Sequence, residues 1–484
     1  MSRFDQLFAR RNTSLLLAGA LLGACATRLP PAPVTAATPV AKTAPRPAAP
    51  PASAASAAAS APPVAVALPV RPSPPIVVAP LPAPAMPPAV AAHFPEPALT
   101  LPTPAFEPGR STFTSNDELQ AIIQGFTHSA SIGENATDIA VWSLGNSQRG
   151  EPIEALAFTR PPAIAGAARR PGVVIVAGQH GDEPAGTEAL IVVAQELASG
   201  KLATVLDRVD VVLLPRANPD GAAAFTRGAA DGTDVNRDHL LLQTPEARAI
   251  AKLLVDFAPV VVLDLHEYPV TSAFTAKFGG VQRFDALLQY ATVPNVAPFV
   301  TKAAEEWFRL PLVATLRSAG LSVDWYSTVS ADPADRSLAM GGVGAQIGRN
   351  AGGLRNAVSL LVETRGGGLG RVGLKRRVQT QIVAVESVLA SAARHAEDLV
   401  KLHQFVDRET ASLACQGEVV IDAAPTPSEY ATSMIDPQTG EIRRLTVAWQ
   451  SALQLRTLKS RPRPCGYWLA QSEGEAVRRL RLLG

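Results

Sequence analysis

The sequence predicts an α/β fold: three layers, α/β/α, around a mixed, mostly parallel central sheet, with a small β-rich C-terminal module. Two observations carry this. Four short runs, Val173–Ala177, Val211–Leu214, Val260–Leu265 and Val358–Val362, are Val/Leu-rich and continuous rather than alternating, as strands buried on both faces are. Between them lie helical stretches such as Pro184–Leu197 and Thr244–Phe257. Strands that alternate with helices imply a largely parallel sheet.

At the N-terminus, Arg3, Arg10 and Arg11 precede a short apolar run, Leu15–Ala24, and then Cys25. That is the layout of a signal peptide. Leu22-Gly23-Ala24-Cys25 resembles the bacterial lipobox, in which the cysteine is lipidated after cleavage. Residues 1–25 are therefore expected to be a lipoprotein signal, and Cys25 the lipid attachment point. Ala26 rather than Asp comes next, which points to the outer membrane face of the bacterial periplasm. The bland reading is an ordinary signal peptide with a chance cysteine.

Between Leu29 and Pro108 stand 24 of the 43 prolines, in a background of Ala, Val, Ser and Thr. Proline removes backbone donors and breaks helices, so residues 26–110 read as an extended linker. Charge divides at the same place. Up to Arg110 there are 8 basic and 3 acidic residues, a net +5; the remainder has 36 and 39, a net −3. Without a basic stripe the folded part is not expected to bind nucleic acid. After residue 25 no apolar run approaches the ~18 to 20 residues of a spanning helix.

Residues 111–407 form the expected catalytic domain. Asn116-Asp117-Glu118 opens a helix through Phe126, and Ile139–Trp142 and Ile153–Phe158 read as two strands joined by a turn. One long helix fits Arg371 to about Val406. Beyond it the texture becomes short and strand-like, so residues 408–484 are assigned to the C-terminal module. Cys415 and Cys465 either pair, as an oxidising compartment allows, or are two unrelated buried thiols.

The residues that end each apolar run carry the chemistry. After the first run come Gly178, Gln179, His180, Gly181, Asp182 and Glu183; after the third, His266; the fourth ends at Glu363. In open α/β sheets, ligands bind beyond the carboxyl ends of the strands, so three of the four strands deliver His, Glu, His and Glu to one rim. His180 and Glu183 sit three apart across a turn that Gly181 permits. His266 completes a His₂Glu set, and catalytic zinc commonly uses three protein ligands with water at the fourth position. An HxxE alone is weak: with 7 His, chance supplies one in roughly a third of such chains.

Asn218-Pro219-Asp220-Gly221, Arg227 and Asp234-Val235-Asn236-Arg237 lie between the second and third runs. With HxxE, the strand-end His and the late Glu in this order, the sequence from about Thr112 to Val406 resembles the zinc carboxypeptidases, the carboxypeptidase A-like metallopeptidases. The resemblance implies an α/β/α fold and Zn²⁺ on His180, Glu183 and His266. It implies Glu363 as general base and proton shuttle, and Arg227 as the cation that stabilises the oxyanion. Asn236 and Arg237 would hold the substrate's terminal carboxylate, and Asp234 would orient His180. These roles agree with the physics of each group.

There are departures. Asp182 stands where carboxypeptidase A-like enzymes have a substrate-contacting Arg. The Gly-Gln-His-Gly-Asp-Glu-Pro-Ala-Gly string is more similar to murein-peptide amidases and the succinylglutamate desuccinylase/aspartoacylase branch. No Tyr lies between Tyr326 and Glu363, so the family's mobile tyrosine has no obvious counterpart. The expected activity is a lipid-anchored zinc metallocarboxypeptidase or amidase acting on a peptide or muropeptide. The alternatives are an N-acyl amino-acid deacylase and an inactive wall-binding lipoprotein. Glu267 should be structural, since neighbours on a strand face opposite ways. His239 lines the pocket or caps a helix; His395 and His403 are expected in solvent, His93 in the linker and His128 at the surface. Arg349 and Arg355 either bind further substrate carboxylates or form surface ion pairs.

Overall fold

In a computed structural model, residues 86–127, 137–161, 169–270 and 273–484 are described. The signal segment with Cys25, most of the linker, and His128 lie outside them. Thirteen strands form two sheets among the described residues. They are β1 (Asp138–Asn146), β2 (Pro152–Thr159), β3 (Gly172–Ala177), β4 (Asp210–Leu214), β5 (Val261–Pro269), β6 (Val281–Gln282) and β7 (Ala286–Tyr290). The rest are β8 (Val323–Trp325), β9 (Ser327–Val329), β10 (Leu338–Met340), β11 (Val358–Gly367), β12 (Glu418–Ile435) and β13 (Ile442–Pro462).

The main sheet has the order β1-β2-β4-β3-β5-β11-β7-β8. Its centre, β4-β3-β5-β11, is parallel throughout; β2 and β7 flank that centre antiparallel. The four apolar runs are thus the four central strands, and all four end on the same rim. Their alternate residues feed two different cores. Val173, Ile175, Val211, Leu213, Leu263 and Leu360 pack with the helices Ala185–Ala198 and Leu374–Arg394. Val174, Val176, Val212, Leu214 and Val262 pack with the helix Pro245–Phe257. Helices on both faces explain why neither face of these strands carries a polar alternation.

Three expectations change. First, residues 86–110 are not linker. Val90 and Ala105 are fully buried, and Thr103 Oγ1 donates to the buried carboxylate of Glu188 at 2.5 Å, which also accepts from Thr114 Oγ1 at 2.9 Å. His93, placed in the linker, has Nε2 2.7 Å from Gly440 O. Proline-rich sequence here docks as extended chain with two short helical turns, Pro88–Ala91 and Pro104–Phe106, because a few apolar side chains find a prepared surface.

Second, the long helix is two, Leu374–Arg394 and Ala396–Ser412, broken at His395, whose ring stacks on Trp307 at 4.8 Å. Third, the sheet of the β-rich C-terminal module extends beyond residues 408–484. The hairpin β12–β13 is completed by β6, β9 and β10 in the order β6-β12-β13-β10-β9, and these three short strands come from within the region assigned to the catalytic domain. Cys415 and Cys465 are disulfide-bonded across the base of the hairpin. The final helix, Gly474–Leu483, packs Leu482 and Leu483 against the second core.

Candidate active site

The rim begins with the turn after β3. Gly178 has φ +65°, a conformation glycine adopts without penalty. Gly181 serves a different purpose: a Cβ there would lie 1.9 Å from the carbonyl carbon of Gly221. The turn that carries His180 therefore rests directly on the backbone of the short helix Pro219–Ala224. Asn218 caps that helix, accepting from Gly221 N at 2.9 Å, while its Nδ2 donates to Gln179 O at 3.2 Å. Asp220 accepts from Ser147 Oγ at 2.8 Å and from Arg149 N at 2.9 Å. The Asn-Pro-Asp-Gly block is thus a brace beneath the HxxE turn.

The three expected ligands meet. His180 Nδ1 lies 2.7 Å from Glu183 Oε1, His266 Nδ1 lies 2.8 Å from Glu183 Oε2, and the two Nδ1 atoms are 3.1 Å apart. All three residues are buried. The far nitrogen of each ring faces a carboxylate: His180 Nε2 is 3.1 Å from Asp234 Oδ1 and His266 Nε2 is 3.1 Å from Asp264 Oδ1. Donation of Nε2–H to those carboxylates leaves both Nδ1 lone pairs aimed at one point. Two lone pairs and a carboxylate converging in a buried space repel one another unless a cation lies among them. This donor set suits Zn²⁺ with water at the open position. The backbone N–H of Glu267 donates to Glu183 Oε2 at 3.0 Å and steadies it.

Glu363 faces the same point. Its Cα is paired with that of His266 across β11 and β5, and neighbours in a parallel pair present their side chains to the same face. Burial pushes the Glu363 carboxyl up to about 7, against the pull of His266 and with a push from Glu183. Arg227 is half exposed. It donates through Nε and Nη2 to Asp234 Oδ2 at 3.1 and 2.9 Å, and its Nη1 lies 3.4 Å from Glu183 Oε1. Asp234 therefore holds both His180 and Arg227. Burial opposes its charge, but His180 and Arg227 keep its carboxyl below the ordinary range.

Asn236 is buried; its Oδ1 accepts from Gly348 N at 2.7 Å, and its amide nitrogen is 3.0 Å from His266 Nε2. Arg237 is exposed beside it and donates Nη1 to Asn236 O at 2.8 Å. Glu267 is structural, as expected: it pairs with Arg377 and accepts from Ala185 N at 2.6 Å. His239 is neither cap nor open lining. Burial pushes it down to about 4, and its Nε2 is 2.8 Å from Gln179 Oε1. His395, expected in solvent, is the half-buried stacking partner of Trp307, and His403 Nδ1 lies 3.0 Å from Asp407. Arg355 donates to Leu482 O in the final helix, so it is no surface ion pair. Arg349 is buried.

Sequence reasoning missed Asp264, Gln179 and Tyr326. Gln179 Nε2 donates to Asp264 Oδ1 at 2.7 Å, so a chain of polar groups, His239–Gln179–Asp264, backs His266. A signal for Asp264 exists: it is two residues before His266 on a strand, hence on the same face. Tyr326 lies just upstream of the stretch in which the resemblance places a tyrosine. Burial, and then the charge of Glu363, raise its hydroxyl above the ordinary value. This cluster predicts that His180→Ala and His266→Ala each abolish stoichiometric zinc binding. Asp264→Asn should keep the circular-dichroism spectrum and weaken zinc by about 10- to 100-fold in a chelator competition; unchanged affinity would show that Asp264 does not orient His266.

Residues 132–275, which contain all three ligands, match the family model "Zinc carboxypeptidase". Carboxypeptidase 2 of Trichophyton rubrum is 30% identical over 320 residues, 65% of this chain and 59% of that protein. Carboxypeptidase D of Mus musculus is 34% identical over 123 residues, 20% of this chain and 9% of that protein. A metallo-carboxypeptidase structure from Burkholderia cenocepacia covers 58% of this chain and 69% of its own at 17% identity, with a TM-score of 0.42. The chain spans about three-fifths of the length of the first of these relatives. Residues 132–275, with the candidate metal-ligand cluster they hold, are thus similar to the zinc carboxypeptidases.

Proposed function

We propose that this protein is a zinc-dependent carboxypeptidase that hydrolyses the C-terminal amide bond of a peptide. The observation that carries this is Glu363: a buried carboxylate, no metal ligand itself, set beside His266 on the rim that holds the ligand cluster. His180, Glu183 and His266 would hold the zinc, which would supply a Lewis acid and make a nearby water more acidic. Glu363 takes the proton from the attacking water and returns it to the leaving amine. Arg227, half exposed and held by Asp234, places a cation where negative charge develops on the carbonyl oxygen. Arg237 presents an exposed guanidinium fork for the terminal carboxylate, with Asn236 fixed beside it by Gly348.

We further propose that the enzyme works in the bacterial cell envelope, tethered through lipid at Cys25, on cell-wall peptides with a free carboxylate. This reading rests on the lipobox-like sequence, the proline-rich stretch after it, and Asp182 in place of a substrate-binding Arg.

For the base, Glu363→Gln keeps shape but cannot accept a proton. Zinc content and folding should stay as in the parent, and turnover of a free-carboxylate peptide should fall by ~10² to 10⁴. Normal turnover in zinc-replete protein would remove Glu363 from the mechanism. For the anchor, Cys25→Ser should abolish incorporation of radiolabelled palmitate in cells; continued labelling would exclude Cys25 as the attachment site.

A further inference from the structure

Arg349 is 3% exposed and forms no ion pair among the described residues. Its Nη2 donates to Gly342 O at 2.7 Å, while its Nε is buried without an acceptor. A buried cation left in that state is costly unless something else supplies a negative charge. The groups packed directly against it do not, and Glu363 and Asp264 act on it only through space, without an ion pair. A Cβ on Gly341 would lie 2.7 Å from Arg349 Nη2, Gln289 Oε1 and a Tyr326 ring carbon. The guanidinium thus shares its space with an amide and a phenol. Burial pushes it down to about 10, and Arg237 pushes in the same direction; Tyr326, Glu363 and Asp264 oppose them.

The position of this residue gives the orphan charge a meaning. Gly348, immediately before Arg349, is packed against the site: a Cβ there would be 3.0 Å from Asp264 Oδ2 and 3.1 Å from Asn236 Oδ1. Arg349 therefore leaves the chain next to the residues that back His266 and border Arg237. Gln289 belongs to β7, the strand that pairs with β11 and its Glu363. Arg349 is thus held within electrostatic range of Glu363 and of the exposed Arg237, and pairs with no acid among the described residues.

We infer that Arg349 forms, with Gln289 and Tyr326, the subsite for the side chain of the substrate's C-terminal residue, and that this side chain carries a second carboxylate. The inference rests on the carboxypeptidase reading and adds the substrate class to it. Arg237 takes the main-chain carboxylate and Arg349 the side-chain one, which accounts for two cations around one terminal residue. Glutamate and glutamine differ by this charge and hardly in size, so their comparison isolates it.

The test uses the zinc-loaded full chain and peptides identical but for a final Glu, Gln, Leu or Lys. Glu should exceed Gln in kcat/KM by ~10²-fold, since a charge-assisted hydrogen bond to a buried guanidinium is markedly stronger than a neutral one. In Arg349→Gln that ratio should collapse toward one, and Arg349→Lys should restore part of it. A parent enzyme that treats Glu and Gln alike, or an Arg349→Gln that loses equally on all four, would overturn the inference. If none of the peptides is cleaved, the carboxypeptidase reading fails by itself. Calorimetric binding of glutarate to parent and Arg349→Gln still decides the subsite, with Arg349-dependent binding supporting it and equal or absent binding overturning it.

Discussion

The active site depends on one arrangement: two imidazole nitrogens held 3.1 Å apart against a single buried carboxylate. Every other feature of the rim keeps those three groups together. The parallel order of β3, β5 and β11 brings the strand ends side by side. The backbone contact between Gly181 and Gly221 sets the height of the His180 turn. Asp234 and Asp264 fix the two ring tautomers from behind. Each of these costs burial of polar groups, and each is offset by hydrogen bonds that leave few of them unpartnered.

Around this cluster the charge is graded. Asp234 joins His180 to Arg227, so the cation we propose for the oxyanion is positioned by the same carboxylate that faces His180. On the other flank, His239, Gln179 and Asp264 form a neutral-to-acidic relay beneath His266. Burial keeps His239 uncharged, which prevents a competing cation near the metal point. Glu363 is left without a hydrogen-bonded cation, and that is why burial can raise its carboxyl toward the range in which it exchanges protons with water.

Much of the site is legible in the sequence because it depends on strand ends. Val/Leu runs mark strands covered on both faces, and the residue after each run must sit at the rim. His180, Glu183, His266 and Glu363 can therefore be brought together without coordinates, and strand alternation makes Asp264 readable in the same way. Other features are not legible. Leu101 and Ala105 bury themselves on two distant helices, and Val90 on strand residues such as Tyr268 and Leu287, which a proline-rich composition conceals. Strands β6, β9 and β10 are two or three residues long, too short to show a period, so the sheet they complete looks like an independent module. Arg349 is recognisable as a cation near Glu363, but its burial without an acid is a property of the packed Gly341–Gly344 loop.

The most direct test is X-ray absorption at the zinc edge on the metal-loaded protein. One zinc per chain is expected, with two imidazole nitrogens at about 2.0 to 2.1 Å and oxygen ligands from a carboxylate and water. In His180→Ala or His266→Ala protein the two-imidazole shell should be lost together with stoichiometric zinc. A shell without imidazole, a shell with sulfur, or a spectrum unchanged by either substitution would contradict the His180–Glu183–His266 assignment.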